Sequence, residues 1–392
     1  MQENMQEQTS LTREQKQAVG LLSIGTFLEY FDLMLYVHMA VLLNDLFFEP
    51  ADPLTASLYT AFAFCSTYVL RPLGALIFGW IGDNIGRKHT VVITTSMMSV
   101  SCVIMASLPT YAEIGVTASI IVTICRIVQG MSSMGEIVGA ELYITEITKP
   151  PVQYFAVSVI SIFCSVGAFA ALVVASLVTS TGFSWRIAFC IGAIIAVVGA
   201  VARTKLRETP EFANAKLRIK NKIEALGFDP NEIDSSPIVT KKVSIKSSVS
   251  LFLIQCAWPV CFYLIYFHCA SIFKSQFHYT SAQIISNNLI ISVVQVSSFI
   301  VWTYLSCYIY PLTILKMKLA IFSFIVVSVP YLLNNLSSQI NLLMLQLVML
   351  LCALSYSPAM PIFYKHFPVF KRFTYASVLY ALSRAFIYIY PS

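Results

Sequence analysis

The sequence predicts an all-α polytopic membrane protein, and three observations carry that expectation. Hydrophobic residues make up 57% of the 392 positions and charged residues 11%, against about 25% charged residues in a soluble domain. The mean hydropathy is +0.76. Apolar runs of about 20 residues recur along the chain, each long enough to cross roughly 30 Å of hydrocarbon. These runs do not alternate in polarity, as the ~10-residue strands of an outer-membrane barrel would.

Eleven spans follow from the runs: 18–41, 57–80, 90–108, 114–135, 154–178, 185–203, 250–272, 283–306, 311–333, 338–360 and 373–390. Residues 1–17 lack the apolar stretch of a cleavable signal and are expected to form a cytoplasmic segment. Of the 25 Lys and Arg, 20 fall in connections or at span ends on the N-terminal side of the membrane, and only Lys274 falls in a connection on the other side. The remaining four, Arg71, Arg126, Arg186 and Arg384, lie within spans. This asymmetry places the N-terminus inside.

Six spans (18–203) precede a charged connection at 204–249, which holds the turn-rich stretch FDPNEIDSSPIV, and five (250–392) follow it. The ten cysteines all lie in apolar runs, without a C-x-x-C pair or a His at metal-ligand spacing. They are expected to be small buried hydrophobes, so neither a disulfide framework nor a metal or other cofactor is anticipated. No nucleophile–base pair at catalytic spacing points to an enzyme, and no nucleic-acid partner is indicated.

Several charges fall inside the spans, where each costs roughly 2.5–3.5 kcal/mol and marks function by default. Gly25, Glu29, Asp32, Tyr36 and Met39 are spaced 4, 3, 4 and 3, which puts them on one face of the first helix. Arg126, Gln129, Ser133 and Glu136 make a second stripe in the fourth span, and Arg71 sits in the second. Left unpaired, Glu29, Asp32, Arg71 and Arg126 would together cost roughly 10–14 kcal/mol, so mutual pairing is expected. A structural ion-pair network would satisfy them. A buried acid such as Asp32 would also suit a proton carrier.

All 19 Asp and Glu lie at or before Asp234, so an acid that couples protons must belong to the first six spans. The second half offers His268 and His278 as further titratable groups and an aromatic cluster, Trp258, Tyr263 and Tyr266. Those three rings would form a cage for an ammonium group by cation–π attraction, or would simply pack.

GWIGDNIGRK, residues 79–88, joins the second and third spans. It has neither the G-x-x-x-x-G-K-[ST] pattern nor the strand-to-helix context of a phosphate loop. It resembles the signature of the major facilitator superfamily, with Gly79, Gly82, Asp83, Gly86, Arg87 and Lys88 at the family's positions and Asn84 in place of a common base. The layout of six spans, a central loop and a second set of spans agrees with that family, whose halves are related six-helix repeats.

EYFD with Tyr36, RPLGALIFGWIGD, RIVQGMSSMGE, SWRIAF, RETPEF and KRFTYASVLYALSRA are similar to the metabolite:proton symporter group, most of all its bacterial proline/glycine-betaine transporters. Met134 and Ala188 depart from the pattern, and SCYIYPLTILKMK keeps neither the acid nor the Gly-Arg of the signature it should echo.

The resemblance implies a major-facilitator fold of two six-helix bundles, the second incomplete with about eleven spans in all, a twelfth being missing. It implies a multi-pass protein of the bacterial inner membrane that imports a small zwitterion together with a proton, driven by the proton gradient. From the buried charges themselves, Asp32, with Glu29, is expected to couple the proton while Arg71, Arg126, Gln129, Glu136 and Tyr36 bind substrate or balance charge. The signature would latch onto the eleventh span near Lys371–Ser377. An organic-acid or dicarboxylate symporter, and a truncated remnant or sensor that binds solute without moving it, remain open. The bilayer, the solute and the proton are the expected partners.

Overall fold

A computed structural model describes residues 8–48, 70–181, 184–226, 243–334, 338–354 and 356–389. The described residues are almost wholly helical, as the apolar runs predict. The helices are α1 (Arg13–Phe47), α2 (Arg71–Asn84), α3 (Arg87–Ser107), α4 (Tyr111–Ile114), α5 (Val116–Ile147), α6 (Val152–Thr181) and α7 (Trp185–Arg203). There follow α8 (Pro210–Leu226), α9 (Ile245–Phe262), a π-helical turn (Tyr263–His268), α10 (Cys269–Phe277), α11 (Ser281–Leu305), α12 (Pro311–Asn334) and α13 (Gln339–Cys352). A 3-10 turn (Ser357–Ala359), α14 (Met360–Tyr364) and α15 (Val369–Ile389) complete the order.

Among the described residues, nine helical stretches are long and apolar enough to cross a membrane. Residues 57–69 of the second expected span lie outside the described residues, and α15 has the length but carries Lys371, Arg372 and Arg384. The apolar residues on the outer faces of these helices have no protein to bury them; Val327 and Phe324 are 80% and 75% exposed. Such a surface suits lipid, which takes the place of a packed neighbour.

Local sequence sets the helix ends. Thr12 with Gln15 and Thr280 with Gln283 form capping boxes that start α1 and α11. Gly86, at φ 149°, precedes α3 in a backbone conformation that side chains disfavour. Pro259 removes one backbone donor inside α9, and the chain passes through the π-helical turn before α10.

Two expected boundaries shift. The fourth span, expected to end at 135, continues in α5 to Ile147, which carries Glu141 and Glu146 into buried positions. The connection at 204–249 contains α8 rather than only turns, and α9 begins five residues before 250. The largest inter-helix packings are α1 with α6, α2 with α15, α3 with α5 and α7, α2 with α5, and α6 with α11. Thus α2–α15 and α6–α11 join the helices before α8 to those after it.

Candidate functional site

The charges of the first half are buried and arranged in separate clusters. Arg126 Nη1 donates to Asp32 Oδ2 at 3.1 Å and to Gln129 Oε1 at 2.9 Å, and its guanidinium lies 4.0 Å over the Tyr36 ring. Cys102 Sγ stands 3.6 Å from Asp32 Oδ1. One helix turn away, Arg71 Nη2 lies 3.7 Å from Glu29 Oε1. Neither Glu29 oxygen takes a hydrogen bond from a described residue. Asp32 and Glu29 therefore each face an arginine from a different helix, with no hydrogen bond between them.

Glu136 belongs to a third cluster that the sequence did not reveal. Its carboxylate receives Arg203 Nη1 and the hydroxyls of Thr94 and Thr95, at 3.2 and 2.5 Å. Arg203, expected in the inner connection, is fully buried at the end of α7 and also donates to the carbonyls of Leu21 and Leu22. Gly25 is the reason it fits, because a Cβ there would occupy the space of the guanidinium. Ser133 of the same stripe turns its hydroxyl back to the Gly130 carbonyl.

The signature at 79–88 forms the junction between α2, α3 and α15. Asp83 Oδ1 accepts from the Phe373 amide at 3.0 Å, and Oδ2 accepts from the Thr374 amide at 2.8 Å. Arg87 Nη2 donates to the Val369 carbonyl at 2.6 Å and Nη1 donates to Asp83 at 3.1 Å. Val369 and Phe373 are an i,i+4 pair, so the motif supplies a partner to each end of one turn of α15. The glycines let the helices approach: a Cβ on Gly79 would lie 2.7 Å from Thr374 Cα, and one on Gly82 would lie 2.5 Å from the Phe373 ring.

Around this junction Glu146 accepts from Arg87, from Arg372 Nη1 at 3.1 Å and from Thr209 Oγ1 at 2.6 Å. Arg372 also bonds Glu211 at 2.9 Å. Glu208 accepts from the amides of Arg87 and Lys88 at the start of α3, where a helix N-terminus favours a carboxylate. Lys88 thus contributes its backbone, and RETPEF contributes Glu208, Thr209 and Glu211. Nearby Lys365 donates to Gln153 Oε1 at 3.1 Å; burial pulls its pKa below the usual lysine value, and Glu211 opposes that shift.

A cavity of about 360 Å³ lies between the two runs of helices. Tyr30, Met34 and His38 of α1, Glu141 of α5 and Ser161 of α6 line it on one side. Trp258, Tyr266, Asn288, Gln295, Tyr356, Tyr380 and Arg384 line it on the other. The lining extends to Lys274 and Ile284, at the opposite end of the helices from the 79–88 junction. Two rings of the expected aromatic cluster, Trp258 and Tyr266, reach the cavity; Tyr263 does not line it and instead stacks on Phe267 at 6.0 Å.

Glu29, Asp32, Arg71, Arg126, Gln129, Tyr36 and Glu136 are likewise absent from the lining. The charges that do face the cavity are Glu141, Arg384 and Lys274. None of the three is among the expected site residues: the fourth span was expected to end before Glu141, Lys274 was placed in an outer connection, and the counterpart of Arg384 is distant in sequence. The string ELYITE, two acids in an otherwise apolar run, was the available signal.

With this geometry in place, the family model of the Major Facilitator Superfamily matches residues 22–389. The chain belongs to the Major Facilitator Superfamily. Among curated proteins, the chain is 34% identical to the inner membrane metabolite transport protein YhjE of Escherichia coli over 226 residues, covering 55% of this chain and 51% of that protein. It is 29% identical to the proline/betaine transporter of Salmonella typhimurium over 274 residues, covering 68% of this chain and 54% of that protein. The chain spans about half the length of the curated relatives it matches.

Among solved structures, the proton:xylose symporter XylE bound to 6-bromo-6-deoxy-D-glucose aligns with a TM-score of 0.74 at 15% identity, over 95% of this chain and 87% of that one. The human organic anion transporter MFSD10 aligns with a TM-score of 0.70 at 15% identity, over 96% and 92%. At such identities the likeness concerns the fold, and it is that of a multi-pass, all-α major-facilitator protein.

Proposed function

We propose that this chain is a proton-coupled symporter that carries a small zwitterion, such as proline or glycine betaine, into a bacterial cell across the inner membrane. The observation that carries the proposal is the buried Asp32–Arg126 pair at 3.1 Å in the half that holds every carboxylate. Such a pair has two states: ionised, with Arg126 held to Asp32, and protonated, with Arg126 released to Gln129 and the Tyr36 ring. Glu29 with Arg71 forms a second pair on the same helix, so protonation on α1 alters its attachment to both α2 and α5.

Alternating access supplies the rest. The 79–88 junction ties α2 and α3 to α15 at the end that the Lys/Arg asymmetry places in the cytoplasm. The cavity extends toward the other end, so the arrangement is read as one with its inner gate closed. Solute enters the cavity from outside while Asp32 takes a proton. Release of the Asp83 and Arg87 bonds to α15 then lets the halves rock. A single charge moving through ~150 mV supplies roughly 3.4 kcal/mol, enough for ~300-fold accumulation of a neutral zwitterion. The absence of a nucleophile–base pair from the sequence agrees with transport rather than catalysis.

Arg384 in the cavity wall favours a second reading, import of an organic acid. Uptake of labelled proline, glycine betaine and succinate into proteoliposomes, with and without an inward proton gradient, tests the proposal. Gradient-driven accumulation of a zwitterion supports it. Accumulation of succinate alone replaces it with the organic-acid reading. Binding without uptake of any of the three would mark a solute sensor.

A further inference from the structure

Glu141 of α5 and Arg384 of α15 face one cavity from the two runs of helices, and neither is in an ion pair among the described residues. Both are buried, at 4% and 5% exposure. Glu141 Oε2 accepts from the Tyr364 hydroxyl at 2.6 Å, and Oε1 takes no hydrogen bond from a described residue. Arg384 Nη1 donates to the Gln255 carbonyl at 3.1 Å and to Ser383 Oγ at 2.8 Å. Nη2 donates to the Tyr356 hydroxyl at 2.8 Å, and the guanidinium lies 3.7 Å over the Tyr380 ring.

Those three bonds leave two of the five guanidinium N–H groups without a described partner. Asn288 lines the same cavity at 9% exposure, and its Oδ1 has no hydrogen-bond partner among the described residues. A carboxyl group, a guanidinium and a bare amide oxygen thus surround one space.

We propose that Glu141 and Arg384 are the two poles of the solute site, with the ligand's carboxylate on Arg384 and its cationic nitrogen toward Glu141. This rests on the reading of the chain as a carrier of small zwitterions. A buried charge without a counter-charge is costly, and a ligand that brings both charges satisfies both poles at once. A monoanion leaves Glu141 unmatched, and a monocation leaves Arg384 unmatched. Trp258 and Tyr266 offer π-faces to the cationic end, and Asn288 Oδ1 accepts an N–H where the ligand has one. Because one pole sits on α5 and the other on α15, only a dipolar ligand draws the two halves together. A singly charged ligand has no such differential affinity for the closed arrangement.

Three probes test this on the purified full chain in nanodiscs, each titrated against tryptophan fluorescence. Glycine betaine carries both charges; choline lacks the carboxylate; 3,3-dimethylbutyrate, the carbon isostere of betaine, lacks the cation. The wild-type chain is expected to bind betaine about tenfold or more tighter than either singly charged probe. Arg384→Gln should erase the advantage over choline, Glu141→Gln should erase the advantage over dimethylbutyrate, and Arg384→Lys should keep part of it.

Each ratio is taken within one variant, so partial loss of folded protein does not move it. Should a variant fail to fold, the wild-type order alone decides: a chain that binds choline or dimethylbutyrate as well as betaine, or binds none of them, overturns the proposal. Unchanged ratios in both charge-removing variants overturn it as well. Betaine selectivity without gradient-driven uptake would reject the symport reading and leave the two-pole site standing, whereas uptake with unmoved ratios would do the reverse.

Discussion

Asp83 Oδ2 lies 2.8 Å from the backbone nitrogen of Thr374, a residue 291 positions away, so a charge at the end of α2 terminates on the backbone of α15. Its other oxygen takes the neighbouring Phe373 amide. One carboxylate thereby holds two consecutive amides of a helix in the other half of the molecule.

Replacing this acid should therefore loosen one turn of α15 and weaken the Asp83–Arg87 pair beside it. Asp83→Asn keeps the shape but loses the charge and one acceptor, at a cost of about 1–3 kcal/mol for charged hydrogen bonds. Hydrogen exchange at the Phe373 and Thr374 amides should accelerate by roughly 5- to 150-fold, with the amides of α6 unchanged as an internal reference.

Close approach at the same junction gives a steric prediction. Gly79→Ala would put a Cβ 2.7 Å from Thr374 Cα, whereas Gly20 has nothing within 4 Å of the equivalent atom. Gly79→Ala should destabilise the packed arrangement by about 1–3 kcal/mol. Gly20→Ala should be neutral or slightly stabilising, since alanine is the better helix former. Thermal unfolding of the two variants side by side checks the contrast.

Glu136 and Arg203 make an enclosed ion pair, with side chains 1% and 0% exposed, and removal of either partner leaves a buried charge. Glu136→Gln and Arg203→Gln should each cost about 3–5 kcal/mol, and the double variant should cost less than the sum of the two. Denaturation midpoints of the three variants test the coupling; strictly additive losses would mean that the two residues stabilise the fold independently.

The sequence made some of this legible and hid the rest, for physical reasons. Helix positions could be read because burial in lipid demands continuous apolar runs, and the 79–88 junction could be read because its glycines and charges are contiguous. The charges on α1 stood out because Glu29 and Asp32 share one helical face. Arg203 was hidden: at the end of a span, a base that anchors to the membrane surface and a base that turns inward look alike. What turns it inward is Gly25, a gap on another helix. Glu141 was hidden by a misplaced helix end, and Arg384 by the lack of any local partner. The cavity is built from residues that meet only once α5 and α15 have packed.

Uptake of labelled glycine betaine into proteoliposomes under an imposed pH gradient decides whether protons are coupled through Asp32. Wild-type vesicles are expected to accumulate betaine above the external concentration only when the outside is acidic. Asp32→Asn should abolish this uphill uptake while betaine exchange at equal concentrations persists, since Asp32 does not line the cavity. Gradient-driven accumulation by the Asp32→Asn variant at the wild-type level would contradict coupling through Asp32.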